Sequence, residues 1–281
     1  MVLLSIFFLV GLMLALRFHG PSRHAQRTAE LRAQLEAARR PIKTRRIDFS
    51  ELAGLPLPVQ RYFRAALKDG QDVVAAARIQ HRGTFNMGDG RERWKPFSSE
   101  QRVVTQRPGF DWSARIAMLP GVPVYVHDAY VAGHGVLHAS VLGLFTVADI
   151  RGDGAIAEGE LMRFLAEAAW YPTALLPSQG VRWEPVDDCS ARATLADGAS
   201  GVSLLFTFNE QGLIDTVSAS ARGRTVGGTI VPTPWQGRFW NYAERSGMLV
   251  PLSGEVAWVL PQDPAPYWRG EVQQLEYEFA T

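Results

Sequence analysis

Cysteine is nearly missing: Cys189 is the single one in 281 residues, so no internal disulfide can form and no redox compartment is marked. An excess of one charge sign is missing too. Lys and Arg number 29 against 28 Asp and Glu, and a net charge of +1 excludes a polyanionic partner such as nucleic acid for the chain as a whole. The chain has no Gly-x-Ser-x-Gly elbow, no glycine-rich phosphate loop and no Cys–His pair. Nothing positive therefore marks an enzyme, and no cofactor is implied. Alternating βα units are absent as well, which removes Rossmann and TIM-barrel architectures. Apolar material is plentiful, with 47% hydrophobic residues, 8 Trp and 14 Phe against 20% charged, enough for a sizeable core in one β-rich domain.

Residues Met1 to Leu16 are apolar apart from Ser5 and Gly11, and the first charge is Arg17. A helix over this run spans roughly 24 to 27 Å, slightly short of the ~30 Å hydrocarbon layer, so snorkelling by Arg17 or local thinning completes the fit. No basic residue precedes the run and no small-x-small cleavage site follows it, which favours an uncleaved single-pass anchor at residues 1–18 over a signal peptide. Membrane lipids are then partners. Nine basic residues from Arg17 to Arg46 face only Glu30, Glu36 and Asp48, so the positive-inside rule places the following domain in the cytoplasm.

Residues 19–48 form a basic stalk and linker. Pro21 to Arg40 is rich in helix formers, with Pro21 near the start and Leu31 and Leu35 four apart, and its arginines read as a solvated face. Residues 49–281 form the domain. In Leu55 to Leu67, Val59, Tyr62, Phe63 and Ala66 recur at helical spacing, predicting a helix near 56–68. From about Ala76 the period falls to two: Trp112, Ala114, Ile116 and Met118 alternate with Ser113, Arg115 and Ala117, between turn signals at Pro108-Gly109, Pro120-Gly121 and Gly133 to Gly135. A second helix is predicted at 159–169, where Leu161, Phe164, Leu165 and Ala168 share a stripe, and strands resume after it. The fold expected is α+β, dominated by a curved antiparallel sheet of half-barrel or sandwich form and covered by helices.

Candidate chemistry is sparse. Asp149 to Glu160 fits a calcium loop at several positions, but Arg151 and Ala157 occupy two ligand positions, so an ordinary Gly-Asp-Gly turn before a helix is the better reading. His134 and His138 would share a metal on a helix; on a strand they stand about 13 Å apart, too far to do so. Glu160, Arg163 and Glu167 lie at i, i+3, i+7, a spacing that suits an exposed ion-pair ladder and also an acid/base pair of carboxylates. Trp170, Tyr171 and Trp235 stand beside prolines near predicted element ends, a placement that suits the rim of a cavity.

Four segments carry a family resemblance: Leu55-Pro-Leu-Pro-Val-Gln-Arg-Tyr-Phe63, Pro108-Gly-Phe-Asp-Trp112 with Gln101, Gly159 to Glu167 running into Trp170-Tyr-Pro-Thr-Ala-Leu-Leu-Pro177, and Tyr267-Trp-Arg-Gly270. Over residues 50–280 the chain resembles a bacterial family of membrane-anchored proteins classed as a domain of unknown function. The resemblance implies no activity, and its pattern does not require the calcium-loop aspartates. The architecture looks like the half-barrels of lipoprotein carriers, which shelter acyl chains and which would put the domain in the periplasm, against the positive-inside rule. The side of the membrane is thus left open. The function expected is binding of an apolar or amphiphilic ligand by Glu160, Arg163, Glu167, Trp170, Tyr171 and Trp235 as lid and rim. The alternatives are a hydrolase using Glu160 and Glu167, and a scaffold for another membrane protein.

Overall fold

The computed structural model describes residues 2–88 and 91–280, with side chains from residue 18 onward. Among these, thirteen strands form one antiparallel sheet made of two meanders. The first is β1 (Val74–Asn86), β2 (Trp94–Val104), β3 (Gly109–Leu119), β4 (Val122–Val131), β5 (His134–Val141) and β6 (Phe145–Gly152). The second is β7 (Arg182–Asp187), β8 (Ser190–Asp197), β9 (Ser200–Phe208), β10 (Ile214–Val226), β11 (Thr229–Arg245), β12 (Met248–Val259) and β13 (Pro264–Phe279). They join where β1 pairs with β13, so the sheet runs from β6 through β1 and β13 to β7. Three α-helices accompany it: α1 (Val2–Ala37), α2 (Leu57–Ala66) and α3 (Ala155–Glu167).

Alternation makes the inner face. Along β3, Phe110, Trp112, Ala114 and Ile116 are buried on one side, while Ser113 and Arg115 turn to the other. The apolar stripe of α3, with Ala157, Leu161, Phe164 and Leu165 fully or almost fully buried, needs a matching surface on more than one side. The sheet supplies it by curling, so that α3 touches β3 to β6 from one meander and β9 and β10 from the other. At one end the curl closes. The Tyr130 hydroxyl on β4 donates to Asp197 of β8 at 3.0 Å, and Arg107 pairs with the same carboxylate, although eight strands, β3 to β1 and β13 to β9, lie between β4 and β8 in the sheet. Helix α2 plugs this end through Tyr62 and Phe63 against Phe208 and Trp183. The expected curved antiparallel α+β fold is therefore present as an open half-barrel with a helix in its concavity.

Helix α3 begins four residues before the predicted 159, because Gly154, at φ 71, breaks the chain direction after β6. Glycine also sets how close the helix comes: a Cβ on Gly135 of β5 would lie 2.7 Å from the Ile156 backbone.

The basic stalk is a helix as expected, but it does not stand free. Pro21 lies inside α1 rather than at its start. Leu31 and Leu35 are buried against Ala76, Val104, Ala129, Val131 and Val136 on the outer face of the sheet, a burial contributing roughly 1.5–3 kcal/mol for a leucine. Arg32 donates to Asp111 at 3.1 Å and Glu100 at 2.6 Å, so a supposed solvated arginine is a docking residue. At Gly20 the helix crosses the Leu142–Gly143 turn so closely that a Cβ there would meet the Leu142 carbonyl. The anchor expected at 1–18 falls almost wholly on residues whose side chains lie outside the described ones. Among the described residues no helix is long and apolar enough to cross a membrane.

Candidate functional site

The concavity holds a cleft of about 100 Å³ between α3 and the inner face of β10 to β13. Trp170, Trp235, Phe239 and Trp268 wall it, with Phe85 and Trp112 from β1 and β3 opposite. Near Phe85 and Tyr267 it widens into a solvent-connected mouth framed by the β10–β11 and β12–β13 hairpins, where Ile230, Trp258 and Pro266 stand. Two aromatic pairs pack edge to face: Trp170 meets Phe239 at 5.7 Å, and His81 meets Trp268 at 5.7 Å. A concave, mostly aromatic lining with a few placed polar groups is the make-up of small-molecule sites.

Along the α3 side runs a chain of polar groups. Arg163 donates to Glu167 at 2.7 Å and to Asp128 of β4 at 2.6 Å, and its guanidinium lies over the Phe110 and Trp112 rings at 4.9 and 5.1 Å. Gln101 of β2 donates to the other Glu167 oxygen at 2.6 Å. Burial by itself would lower the Arg163 pKa, but Glu167 and Asp128 outweigh it and hold the guanidinium charged. One turn toward the mouth, Glu160 is 4% exposed, with its Oε2 lacking any partner. Burial, reinforced by the neighbouring Asp128 carboxylate, pushes its pKa well above the ordinary 4.5. Arg222 of β10 approaches Glu160 to 3.6 Å and lies over Trp235 at 5.1 Å. Trp235 in turn donates to the Tyr267 hydroxyl at 2.9 Å.

The structure thus gathers five of the six expected residues. Glu160 stands at the mouth, and Arg163, Glu167, Trp170 and Trp235 line the cleft. Trp170 and Trp235, each 3% exposed, form inner wall rather than rim. Tyr171 differs: it is fully buried and donates its hydroxyl to the Phe164 carbonyl at 2.8 Å, locking the end of α3 instead of facing a ligand. The exposed ladder expected of Glu160, Arg163 and Glu167 is instead a buried network, because the sheet curls over the face of α3 that carries it. Glu160 and Glu167, two turns apart, are not brought together; the carboxylate beside Glu160 is Asp128.

Asp128, His81 and Arg222 escaped the sequence reading, and Gln101 entered it only through the family resemblance. His81 is buried with both ring nitrogens unpartnered, and burial lowers its pKa to about 3, so it is a neutral ring packed against Trp170 and Trp268. The calcium-loop residues are placed otherwise. Asp149 lies on β6 and accepts from Arg151 at 2.7 Å, whereas Glu160 faces the cleft. His134 is exposed on β5, and His138 is buried beneath α1 near His24.

No curated protein matches the chain in sequence. Among the solved structures similar to it are two of low sequence identity. A LolA superfamily protein from Nitrosomonas europaea shares 10% identity at a TM-score of 0.40, over 79% of this chain and 92% of the other. A beta-barrel-like protein of domain of unknown function DUF1849 from Brucella abortus shares 11% identity at a TM-score of 0.20, over 73% of this chain and 99% of the other. The segments from Leu55 to Phe63 and from Tyr267 to Gly270 both fall inside residues 53–277, which match the DUF6920 profile, and the chain belongs to that family of unknown function.

Proposed function

We propose that this protein binds an apolar or amphiphilic, lipid-like ligand in the cleft between α3 and the inner face of the sheet, close to a membrane to which residues 1–18 tether it. The observation that carries the reading is the aromatic wall of the cleft inside an open half-barrel, continuous with a mouth of about 490 Å³. Each methylene moved from water into such a wall contributes about 0.8 kcal/mol, so an alkyl chain of ordinary length binds without catalytic machinery. The membrane part is supported by the uncharged run from Met1 to Leu16.

Lipid extraction of the purified full chain followed by mass spectrometry, and a tryptophan-fluorescence titration with fatty acids and phospholipids, test the reading. Trp170 and Trp235 report on the wall. Co-purifying lipid and a saturable titration, weakened by Trp235→Ala, are expected. No lipid and no saturation would sink the proposal. One observation favours hydrolysis as a second reading: Glu160, its pKa raised by burial, stands beside the Asp128 carboxylate, an acid next to a base. Turnover of a p-nitrophenyl acyl ester, lost in Glu160→Gln, would support hydrolysis, and the binding reading expects none.

A further inference from the structure

The arginines around the cleft differ in how they are neutralised. Arg163 has two carboxylates within 2.7 Å. Arg238 is 63% exposed and lies 3.9 Å from Asp215. Arg222 is only 10% exposed, yet its nearest carboxylate among the described residues is Glu160 at 3.6 Å, beyond hydrogen-bonding distance. Glu160 in turn leaves Oε2 buried and unpartnered, and burial together with Asp128 disfavours its ionised form. A buried guanidinium with no carboxylate in hydrogen-bonding reach is a cation awaiting an anion, since an unpaired buried charge is costly.

Its position is also particular. Arg222 lines both the aromatic cleft and the mouth, together with Phe85, Asp128 and Tyr267. It reaches inward because of a bulge. Val217 and Ala219 are buried on β10 just before the register shift between Ala219 and Arg222, and the shift reverses which side chains face the concavity. The Trp235 ring beneath the guanidinium fixes its plane.

We infer that Arg222 holds the anionic end of an alkyl-chain amphiphile, a carboxylate or a phosphate monoester, at the mouth of the cleft, with Glu160 donating a hydrogen bond to the same group. The chain then runs inward along Trp235, Trp268 and Trp170. This inference rests on the proposed lipid-binding role of the cleft and adds the charge of the ligand and the residue that selects it. Arg163, the arginine of the predicted site, is excluded from that task because its donors are already committed to Glu167 and Asp128.

The test is the ratio of affinities within one protein. The full chain is titrated with oleate, oleyl phosphate and oleyl alcohol at pH 7 and low salt, with tryptophan fluorescence as the signal. A charge-assisted hydrogen bond in a buried site corresponds to roughly 10- to 100-fold, so the tighter of the two anions should exceed the alcohol by at least about tenfold. Which anion is tighter separates a fatty-acid ligand from a phosphate one, and either result supports the inference. Arg222→Gln should shrink the gap to within about twofold, while Arg222→Lys and the outer-face control Arg115→Gln should keep it. Equal binding of anions and alcohol to the unmodified chain overturns the inference and leaves the cleft reading intact. A full gap in Arg222→Gln also overturns it. Failure of all three probes to bind refutes the cleft reading itself. Should Arg222→Gln not fold, the ratio in the unmodified chain still decides.

Discussion

Glu160→Gln probes the charge state of the cleft through stability alone. Because the Glu160 carboxyl is buried beside Asp128, its folded-state pKa stands well above 4.5, its ordinary value. Between 4.5 and that raised pKa the native protein holds a proton that the unfolded chain has released. The sign follows from linkage: the unfolded state binds fewer protons there, so stability falls as pH rises, by about 1.4 kcal/mol per unit from this site. Below 4.5 the effect is absent, and above the raised pKa it is complete. Glutamine copies the shape of the protonated acid and does not titrate. The two proteins should therefore be nearly equal in stability at pH 4.5, and the variant should be the more stable by up to about 2.7 kcal/mol at pH 6.5, two units higher. Urea unfolding of the full chain from pH 4.5 to 8 gives both curves. Parallel curves, or a variant less stable by a constant amount, would show that Glu160 is ionised and paired with Arg222, and the reasoning would be refuted.

Other perturbations separate the remaining elements. Arg163→Met strips Asp128 and Glu167 of their buried cation and should cost about 3–5 kcal/mol at pH 7, most of it recovered when Asp128→Asn and Glu167→Gln are added; a loss under about 1 kcal/mol by urea unfolding would contradict the buried network. Leu35→Ala should cost about 2–5 kcal/mol and expose residues 19–40 to limited proteolysis, whereas unchanged cleavage would mean that α1 is not docked. Burial first, and then neighbouring cationic groups, lowers His24 to about 3 and His138 to about 4 from 6.5, so their contribution is complete above pH 6.5 and is lost as pH falls toward those values. Hydrogen exchange corrected for intrinsic rate should accordingly show residues 18–37 loosening at pH 4.5 relative to pH 7, and less so in His24→Gln. Removing residues 1–18 should move the protein from the membrane to the soluble fraction, and a soluble full-length chain would disprove the anchor.

The elements that could be read from the sequence are those whose signal is local. The spacing of Tyr62 and Phe63 marked α2, the stripe of Leu161 and Phe164 marked α3, and alternation around Trp112 marked β3. The resemblance carried by Trp170-Tyr-Pro drew attention to the segment that follows α3. What escaped is assembled across the sheet. Asp128 meets Arg163 only because β4 curls over α3, and Glu160 meets Arg222 only because β10 does so from the other side. No periodicity announces Arg222, since the bulge at Ala219 inverts the alternation by which its face would be judged. Tyr171 was misplaced for a related reason: proline after an aromatic suits a cavity rim and a helix end equally, and the choice depends on the Phe164 carbonyl reaching its hydroxyl. The arginines of α1 read as solvated because Asp111, buried on the outer face of β3, gives no sign in sequence of waiting for Arg32.

The β1–β13 seam divides the sheet into two meanders, each closed by short hairpin connections and each able to form from neighbours in sequence. The seam, α3 and the Tyr130–Asp197 clasp link them across most of the length of the chain, and the seam carries the largest loop-closure cost of any strand pairing in the sheet. The cleft straddles the same division, with Trp112 and Asp128 on one meander, Trp235 and Arg222 on the other, and Phe85 and Trp268 on the seam itself. An occupant would therefore act as a bolt between two independently formed plates, and an emptied cleft leaves them held by the seam, the Tyr130–Asp197 clasp and one helix.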